Sequence, residues 1–160
     1  MRKIWAPWRA KFILHVKKDE CIFCTKPKER DEEAYILYRG KYNFIILNIF
    51  PYNSGHLMIA PYSHKSSPEY LTKEEYTEMF DLLQWSIENL RLALKPDGFN
   101  VGFNIGRVGG AGYEGHIHLH IVPRWNGDNN FMPVIADTRV ISVGIDETYR
   151  LLKPLFDREH

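Results

Sequence analysis

Apolar and polar positions alternate along this chain in a way that predicts several short strands. Residues 35–39 and 42–47 are two mostly apolar runs separated by a Gly-Lys pair, and this spacing predicts a β-hairpin. Residues 55–60 follow a loop and form a third apolar run. Residues 99–105 and 115–123 alternate with a period of two, which predicts two further strands.

A long amphipathic helix is predicted to begin after Thr72. Thr72 and Glu75 fit a capping box, in which each side chain binds the other residue's backbone N–H. The apolar residues that follow are spaced by three and four, so they are predicted to form one stripe packed on the core. That stripe consists of Tyr76, Met79, Phe80, Leu83, Ile87, Leu90 and Leu94. A short helix is predicted over residues 146–156.

The order of these elements predicts an α+β protein. Strands precede and follow the long helix, as in an antiparallel meander of about five strands with a C-terminal helix. No repeat, low-complexity tract or linker divides the 160 residues, so a single domain over residues 1–160 is expected. Within that domain, residues 1–33 are expected to form an irregular, polar N-terminal arm.

Composition narrows the class of protein without indicating its function. An apolar content of 44% and a charged content of 26% are ordinary for a soluble globular protein. The net charge of +1 gives no reason to expect binding to nucleic acid. No apolar run approaches the roughly 18 to 20 residues that span a bilayer, and the N-terminus lacks the apolar core of a signal peptide. A cytoplasmic protein without membrane contact is therefore expected.

The most informative segment is a row of histidines. His116, His118 and His120 are two residues apart, so in a strand their side chains would share one face. Three adjacent imidazoles are poor core material, because each carries two polar nitrogens that need partners. Imidazole can act near neutral pH as a nucleophile, an acid or base, or a metal ligand. A catalytic zinc held by all three is the alternative, although neighbouring histidines of the row would already lie roughly 6.5 to 7 Å apart at the backbone.

The alternation of histidine and apolar residues over 116–122 resembles the signature of the histidine-triad (HIT) superfamily. The resemblance extends over about residues 20–125 and implies the HIT fold. It also implies a homodimer, since HIT proteins commonly pair their sheets across a twofold axis. Three segments, residues 5–9, 123–128 and 130–133, look like bacterial and archaeal HIT proteins related to diadenosine tetraphosphate phosphorylases.

The resemblance implies a role for each matching polar residue. His118 would be the nucleophile that attacks the α-phosphorus, His120 would lie beside the phosphates, and His56 would complete the catalytic group. Asn48 matches the position that binds the ribose hydroxyls, and an amide suits a diol because it both donates and accepts. Asn104 matches a position near the phosphates.

A glycine-rich loop precedes the histidines. Gly106, Gly110 and Gly112 are expected to let the backbone approach the phosphates and direct amide hydrogens at them. Many relatives carry a glutamine or serine where this chain has Gly112. Contacts made elsewhere by that side chain must come from backbone amides or from Arg107, or be absent.

The two cysteines form a C-x-x-C pair. In a reducing compartment, the spacing of Cys21 and Cys24 favours a metal site or a redox pair over a structural disulfide. Resemblance to zinc-bearing HIT proteins and to galactose-1-phosphate uridylyltransferases implies His64 and His116 as the other ligands, with His15 as the fallback. The zinc would be structural, and catalysis would need no cofactor. A metal-free thiol pair or a disulfide is the alternative.

The expected function is cleavage of a dinucleoside polyphosphate, such as diadenosine tetraphosphate, through a covalent nucleotidyl-histidine. Inorganic phosphate as the final acceptor would make the enzyme a phosphorylase, whereas water would make it a hydrolase. A nucleoside phosphoramidase of the same superfamily is a further alternative. Two further hypotheses belong to other functional classes. One is a nucleotide-binding module without turnover, and the other is a zinc enzyme that uses the histidine row as ligands.

Overall fold

The computed structural model describes residues 20–128 and 141–158. Two one-turn helices precede the sheet, and a short 3-10 turn lies between them. The strands are β1 (Ile36–Arg39), β2 (Asn43–Leu47), β3 (Leu57–Pro61), β4 (Gly98–Phe103) and β5 (Leu119–Arg124). The helices are α1 (Ile22–Thr25), α2 (Asp31–Ala34), α3 (Lys73–Leu94) and α4 (Ile145–Phe156), with 3-10 turns at Lys26–Lys28 and Pro68–Tyr70.

The five strands form one antiparallel sheet in the order β1-β2-β3-β5-β4. The predicted α+β class, with one long helix and a C-terminal helix, is confirmed. No helix in residues 20–128 and 141–158 combines the length and the apolar character needed to cross a membrane.

Both faces of the central strands are buried, which explains why β2 and β3 are almost uninterrupted apolar runs. Alternate residues pack on opposite sides. Ile45 and Ile59 belong to the helix-side core, which α3 and α4 cover. Phe44 and Met58 face the other way, into a smaller cluster that also contains Phe23 of α1. Because the turn that carries Cys21 and Cys24 packs here, we call this the knuckle side of the sheet and the cluster the knuckle-side cluster. His118 and His120 lie on this second side, next to Phe23 and opposite Met58 respectively.

The capping box at the start of α3 is confirmed. The Thr72 hydroxyl accepts from the backbone N–H of Glu75, and the Glu75 carboxylate accepts from the backbone N–H of Thr72. The predicted apolar stripe is only partly right. Met79 is buried, but Tyr76 and Phe80 are 47% and 37% exposed, because their face of the helix turns away from the sheet.

The prediction of an irregular arm over residues 1–33 is wrong for its last part. Residues 22–28 and 31–34 form short helical turns, and these bring the C-x-x-C pair against the sheet. The N–H groups of Cys24 and Thr25 both bond to the carbonyl oxygen of Cys21, which closes the turn. The aromatic segment 5–9, the fallback ligand His15 and residues 130–133 lie outside the described residues.

Candidate functional site

His120 is the member of the histidine row that lies within a strand. It occupies β5 opposite Met58 of β3 and Gly102 of β4. Its neighbours Leu119 and Ile121 point to the opposite face, into the helix-side core. The alternation expected for a strand therefore places His120 on the knuckle side of the sheet.

The prediction of one strand over residues 115–123 is wrong at its start, because His116 and His118 precede the first residue of β5. Continuing the β3–β5 register would set Pro61 opposite Ile117, and proline has no N–H to donate. The backbone N–H of Ile117 donates instead to the carbonyl oxygen of Lys65, at 2.6 Å. The chain thus leaves the ladder before Leu119, and the first two histidines are placed by other contacts.

His118 is held in a defined orientation by its surroundings. Its Nδ1 lies 2.9 Å from the backbone carbonyl oxygen of His116. A carbonyl can only accept, so Nδ1 must carry the proton and Nε2 keeps its lone pair. The ring stacks on Phe23, with centroids 4.5 Å apart, and meets His120 edge-on at 4.7 Å.

His56 and His120 form a hydrogen-bonded pair whose tautomers can be deduced. The backbone N–H of Tyr52 donates to His56 Nδ1 at 3.0 Å, so His56 carries its proton on Nε2. That Nε2 lies 2.9 Å from His120 Nδ1, which must accept. His120 is therefore protonated on Nε2. The side-chain nitrogen Nδ2 of Asn104 lies 3.3 Å from this nitrogen, and because both atoms carry hydrogens they are neighbours that do not bond to each other.

Burial keeps His56, His118 and His120 neutral. Burial and, to a smaller extent, the nearby His120 and His118 together lower the pKa of His56 to about 3. Burial also lowers the pKa of His120 to about 4, with a smaller contribution from His118. The pKa of His118 is lowered by burial as well, although the bond to the His116 carbonyl opposes this. All three imidazoles are neutral at pH 7, the form a nucleophile requires.

Both predicted nucleotide-binding asparagines contact the histidine pair. The Asn48 side-chain oxygen accepts from the backbone N–H of Phe50 at 2.9 Å, and its Nδ2 lies 3.3 Å from His56 Nδ1. Asn104 also donates to the Tyr52 hydroxyl at 3.4 Å. Asn48 therefore stabilises its own turn through Oδ1 and contacts His56 through Nδ2. Its role toward ribose, and that of Asn104 toward phosphate, stay predictions.

Two residues of the glycine-rich loop have the left-handed backbone conformation that only glycine adopts easily. Gly106 has φ +70° and Gly110 has φ +89°. The N–H groups of residues 109–111 bond within the loop, to the carbonyl oxygens of Gly106 and Arg107. Open space surrounds the Cα of Gly112, since a Cβ there would meet no atom within 4 Å. Phosphate binding by this loop stays a prediction.

Tyr52 is a site residue that the sequence analysis missed. Its ring centroid lies 4.5 Å from that of His56 and 5.6 Å from that of His120, and it stacks on the latter at an interplanar angle of 22°. The side chain is 42% exposed, so it forms one wall of the site. The available signal was an aromatic residue directly after Pro51, in the loop that ends at His56.

His116 belongs to a second cluster, with the cysteine pair. Its Nδ1 lies 3.3 Å from the Sγ of Cys21 and 3.6 Å from that of Cys24. The Sγ of Cys24 lies 3.3 Å from Nδ1 of His64. All four candidate ligand atoms are within 4.8 Å of one another. His116 Nε2 donates to the Pro61 carbonyl at 2.8 Å, which leaves the Nδ1 lone pair facing the sulfurs.

The three sulfur–nitrogen distances fit a tetrahedral ion. Zinc bound at 2.0 to 2.3 Å by sulfur and nitrogen sets its ligand atoms roughly 3.3 to 3.8 Å apart, and two cysteines with two histidines are a common structural zinc set. Such a site is closed, so the metal would contribute folding free energy rather than a reaction step. Within the described residues, the row of His116, His118 and His120 forms no such cluster, which argues against the alternative of a catalytic zinc.

Comparison with known proteins decides the family. The sequence model of the HIT domain matches residues 29–127, which is more than half of the chain. The chain belongs to the HIT family. AP-4-A phosphorylase of Mycobacterium tuberculosis is 36% identical over 168 residues, covering 99% of this chain and 86% of that protein. Bis(5'-adenosyl)-triphosphatase of Saccharomyces cerevisiae is 30% identical over 95 residues, covering 59% and 46% of the two chains.

Solved structures agree with this assignment. A zinc-bound histidine triad family protein from Mycobacterium smegmatis superposes with a TM-score of 0.68 and 27% identity, covering 86% of this chain and 93% of that one. The predictions of a HIT fold and of a HIT-family enzyme are confirmed. The metal-ligand geometry of this HIT chain fits the ion that the relative binds.

We expect purified protein to contain about one zinc per chain, because four ligands of this geometry satisfy the ion's coordination. Cys21→Ser should release the zinc and lower the melting temperature, since the bound metal contributes to folding. Thr25→Ser, on the same turn, is the control and should keep both the bound zinc and the wild-type melting temperature. Elemental analysis with thermal denaturation measures these effects. Zinc-free wild-type protein with freely titrating thiols would exclude the site.

Proposed function

We propose that this HIT enzyme cleaves dinucleoside polyphosphates by nucleotidyl transfer through His118. The observation that carries the proposal is the orientation of that ring. The Nδ1–H donates a hydrogen bond to the His116 carbonyl oxygen, so the Nε2 lone pair is available to attack phosphorus. The proposal is also supported by the relatives that cleave dinucleoside polyphosphates.

The reaction would proceed in two displacements. His118 Nε2 attacks the α-phosphorus, an N–P bond forms, and the bond to the bridging oxygen breaks, so that the remaining nucleoside polyphosphate leaves. An acceptor oxygen then attacks the same phosphorus, and the N–P bond breaks. His118 returns to its neutral form, and the nucleotidyl group is carried away by the acceptor.

His120 would stabilise the negative charge that builds up on the phosphate oxygens. Its Nε2–H is set by the chain of hydrogen bonds that runs from the Tyr52 backbone through His56. Because the donor is oriented before substrate arrives, no reorganisation is required during the reaction. Asn104 lies beside that same nitrogen and would share the phosphate contact.

Inorganic phosphate is the acceptor that we propose, which would make the enzyme a phosphorylase. The support is the 36% identity with an AP-4-A phosphorylase over nearly the whole chain. Water as the acceptor would give the hydrolase alternative, and the similarity to a bis(5'-adenosyl)-triphosphatase over 95 residues is consistent with that outcome. The histidine chemistry is the same in both cases.

Product analysis should distinguish the two acceptors. Incubation with diadenosine tetraphosphate and phosphate is expected to give ATP plus ADP, because phosphate captures the adenylyl group. Chromatography of the nucleotides, with and without phosphate, measures this. ATP plus AMP at the same rate in both incubations would establish hydrolysis at the α-phosphorus instead. Two ADP would mean cleavage between the central phosphates and would contradict attack at the α-phosphorus.

The nucleophile can be tested by comparing two neighbouring histidines. His118→Asn should lower kcat by about 10³-fold or more, and it should form no covalent nucleotidyl adduct, while nucleotide affinity is retained. His120→Asn is the matched variant: it should slow adduct formation but not abolish it, because the attacking nitrogen remains. A His118→Asn protein that keeps more than about a tenth of the wild-type kcat would exclude covalent catalysis by this residue.

We also propose a homodimer. Strand β4 lies at the edge of the sheet, and no other described strand pairs with its outer side. Val101 in its centre is 42% exposed, and unpaired edges are ready templates for another strand. Tyr76 and Phe80 add an exposed aromatic pair on α3, with ring centroids 4.7 Å apart.

Val101→Lys should convert the protein to a monomer, because a charge at the centre of the paired edge opposes strand addition. Val108→Lys, on the fully exposed glycine-rich loop, is the control and should remain dimeric. Sedimentation at micromolar concentration gives the mass of each. A wild-type monomer under these conditions would contradict the proposal.

A further inference from the structure

Phe23 lies between the metal cluster and the proposed nucleophile. It is flanked in sequence by Cys21 and Cys24, and its side chain is 1% exposed. The ring stacks on His118, with centroids 4.5 Å apart and an interplanar angle of 29°. The same ring lies 5.3 Å from that of His116. The HIT motif itself does not assign Phe23 a role in the reaction.

We infer that Phe23 is a positioning residue, which holds the plane of the His118 imidazole so that Nε2 faces the phosphorus. This inference rests on the proposed function of His118. It concerns the orientation of the ring, whereas the chemical steps remain those of the histidine.

The geometry shows why a second contact is needed. The bond from Nδ1 to the His116 carbonyl, at 2.9 Å, restrains one edge of the ring but does not by itself determine the ring plane. Rotation about the terminal torsion of histidine is broad, because that bond joins sp³ and sp² carbons. A flat aromatic surface at stacking distance removes this freedom. Carbonyl and ring together define both the tautomer and the direction of Nε2.

Phe23 is itself held firmly. Its turn is closed by bonds from the N–H groups of Cys24 and Thr25 to the Cys21 carbonyl. Both cysteine sulfurs point to the cluster formed with His64 and His116. The ring is thus carried on a segment tethered at both ends. A metal bound there would act on the nucleophile through Phe23 without entering any step.

An ordinary core role for Phe23 makes a different prediction, and Phe44 provides the comparison. Phe44 is buried in the same knuckle-side cluster and stacks at a tilt on Tyr62, at 5.3 Å, rather than on a catalytic histidine. Replacement of either phenylalanine by leucine removes a similar volume from the same cluster. Loss of packing alone should therefore affect the two variants equally.

The test compares Phe23→Leu, Phe44→Leu and wild type at equal zinc content, verified by elemental analysis. We expect Phe23→Leu to lower kcat by about 10-fold or more with KM nearly unchanged, since small misplacements of a reacting group are costly. Phe44→Leu should lower the melting temperature to a similar extent and keep kcat. Nitrogen-15 NMR of the neutral imidazoles should show the single Nδ1–H tautomer of His118 in wild type and in Phe44→Leu, and a tautomer mixture in Phe23→Leu.

Two results would overturn the inference: an unchanged tautomer in Phe23→Leu, or equal losses of kcat in both variants. A tautomer mixture with kcat unchanged would support the positioning of the ring and contradict His118 as the nucleophile. The failure of this inference is thereby separated from failure of the proposed function.

Discussion

The hydrogen bond from His118 Nδ1 to the carbonyl oxygen of His116 is the interaction on which the site depends. Because the carbonyl can only accept, this bond selects the tautomer whose Nε2 is unprotonated. The residue that supplies the carbonyl directs its own imidazole toward Cys21 and Cys24. One short segment therefore joins the candidate metal cluster to the candidate nucleophile.

Burial on the knuckle side of the sheet determines the electrostatics of this arrangement. Desolvation lowers the pKa of His56 to about 3 and that of His120 to about 4, so their mutual bond is one between neutral rings. Its direction is set by a backbone N–H, that of Tyr52, which cannot reverse. A dianionic or more highly charged substrate would thus meet an oriented N–H dipole rather than a buried cation that needs a counter-ion.

Pro61 connects the sheet to both clusters. Its lack of an N–H ends the β3–β5 ladder, which frees the segment before Leu119 from strand geometry. Its carbonyl oxygen then accepts from His116 Nε2 and turns the Nδ1 lone pair to the sulfurs. In a fully paired strand, His116 and His118 would both share a face with His120 and their side chains would point the same way.

The sequence by itself determined the class of fold and the cap at Thr72, because these depend on local periodicity and on side-chain types at short spacing. It also indicated the pairing of the cysteines with His64 and His116, through resemblance. The tertiary structure decided which ring nitrogen of His56, His118 and His120 carries the proton, because that depends on the hydrogen-bond partners each ring meets. Contacts between residues far apart in sequence, such as Phe23 with His118, carry no periodic signal and arise only when the α1 turn packs on the sheet.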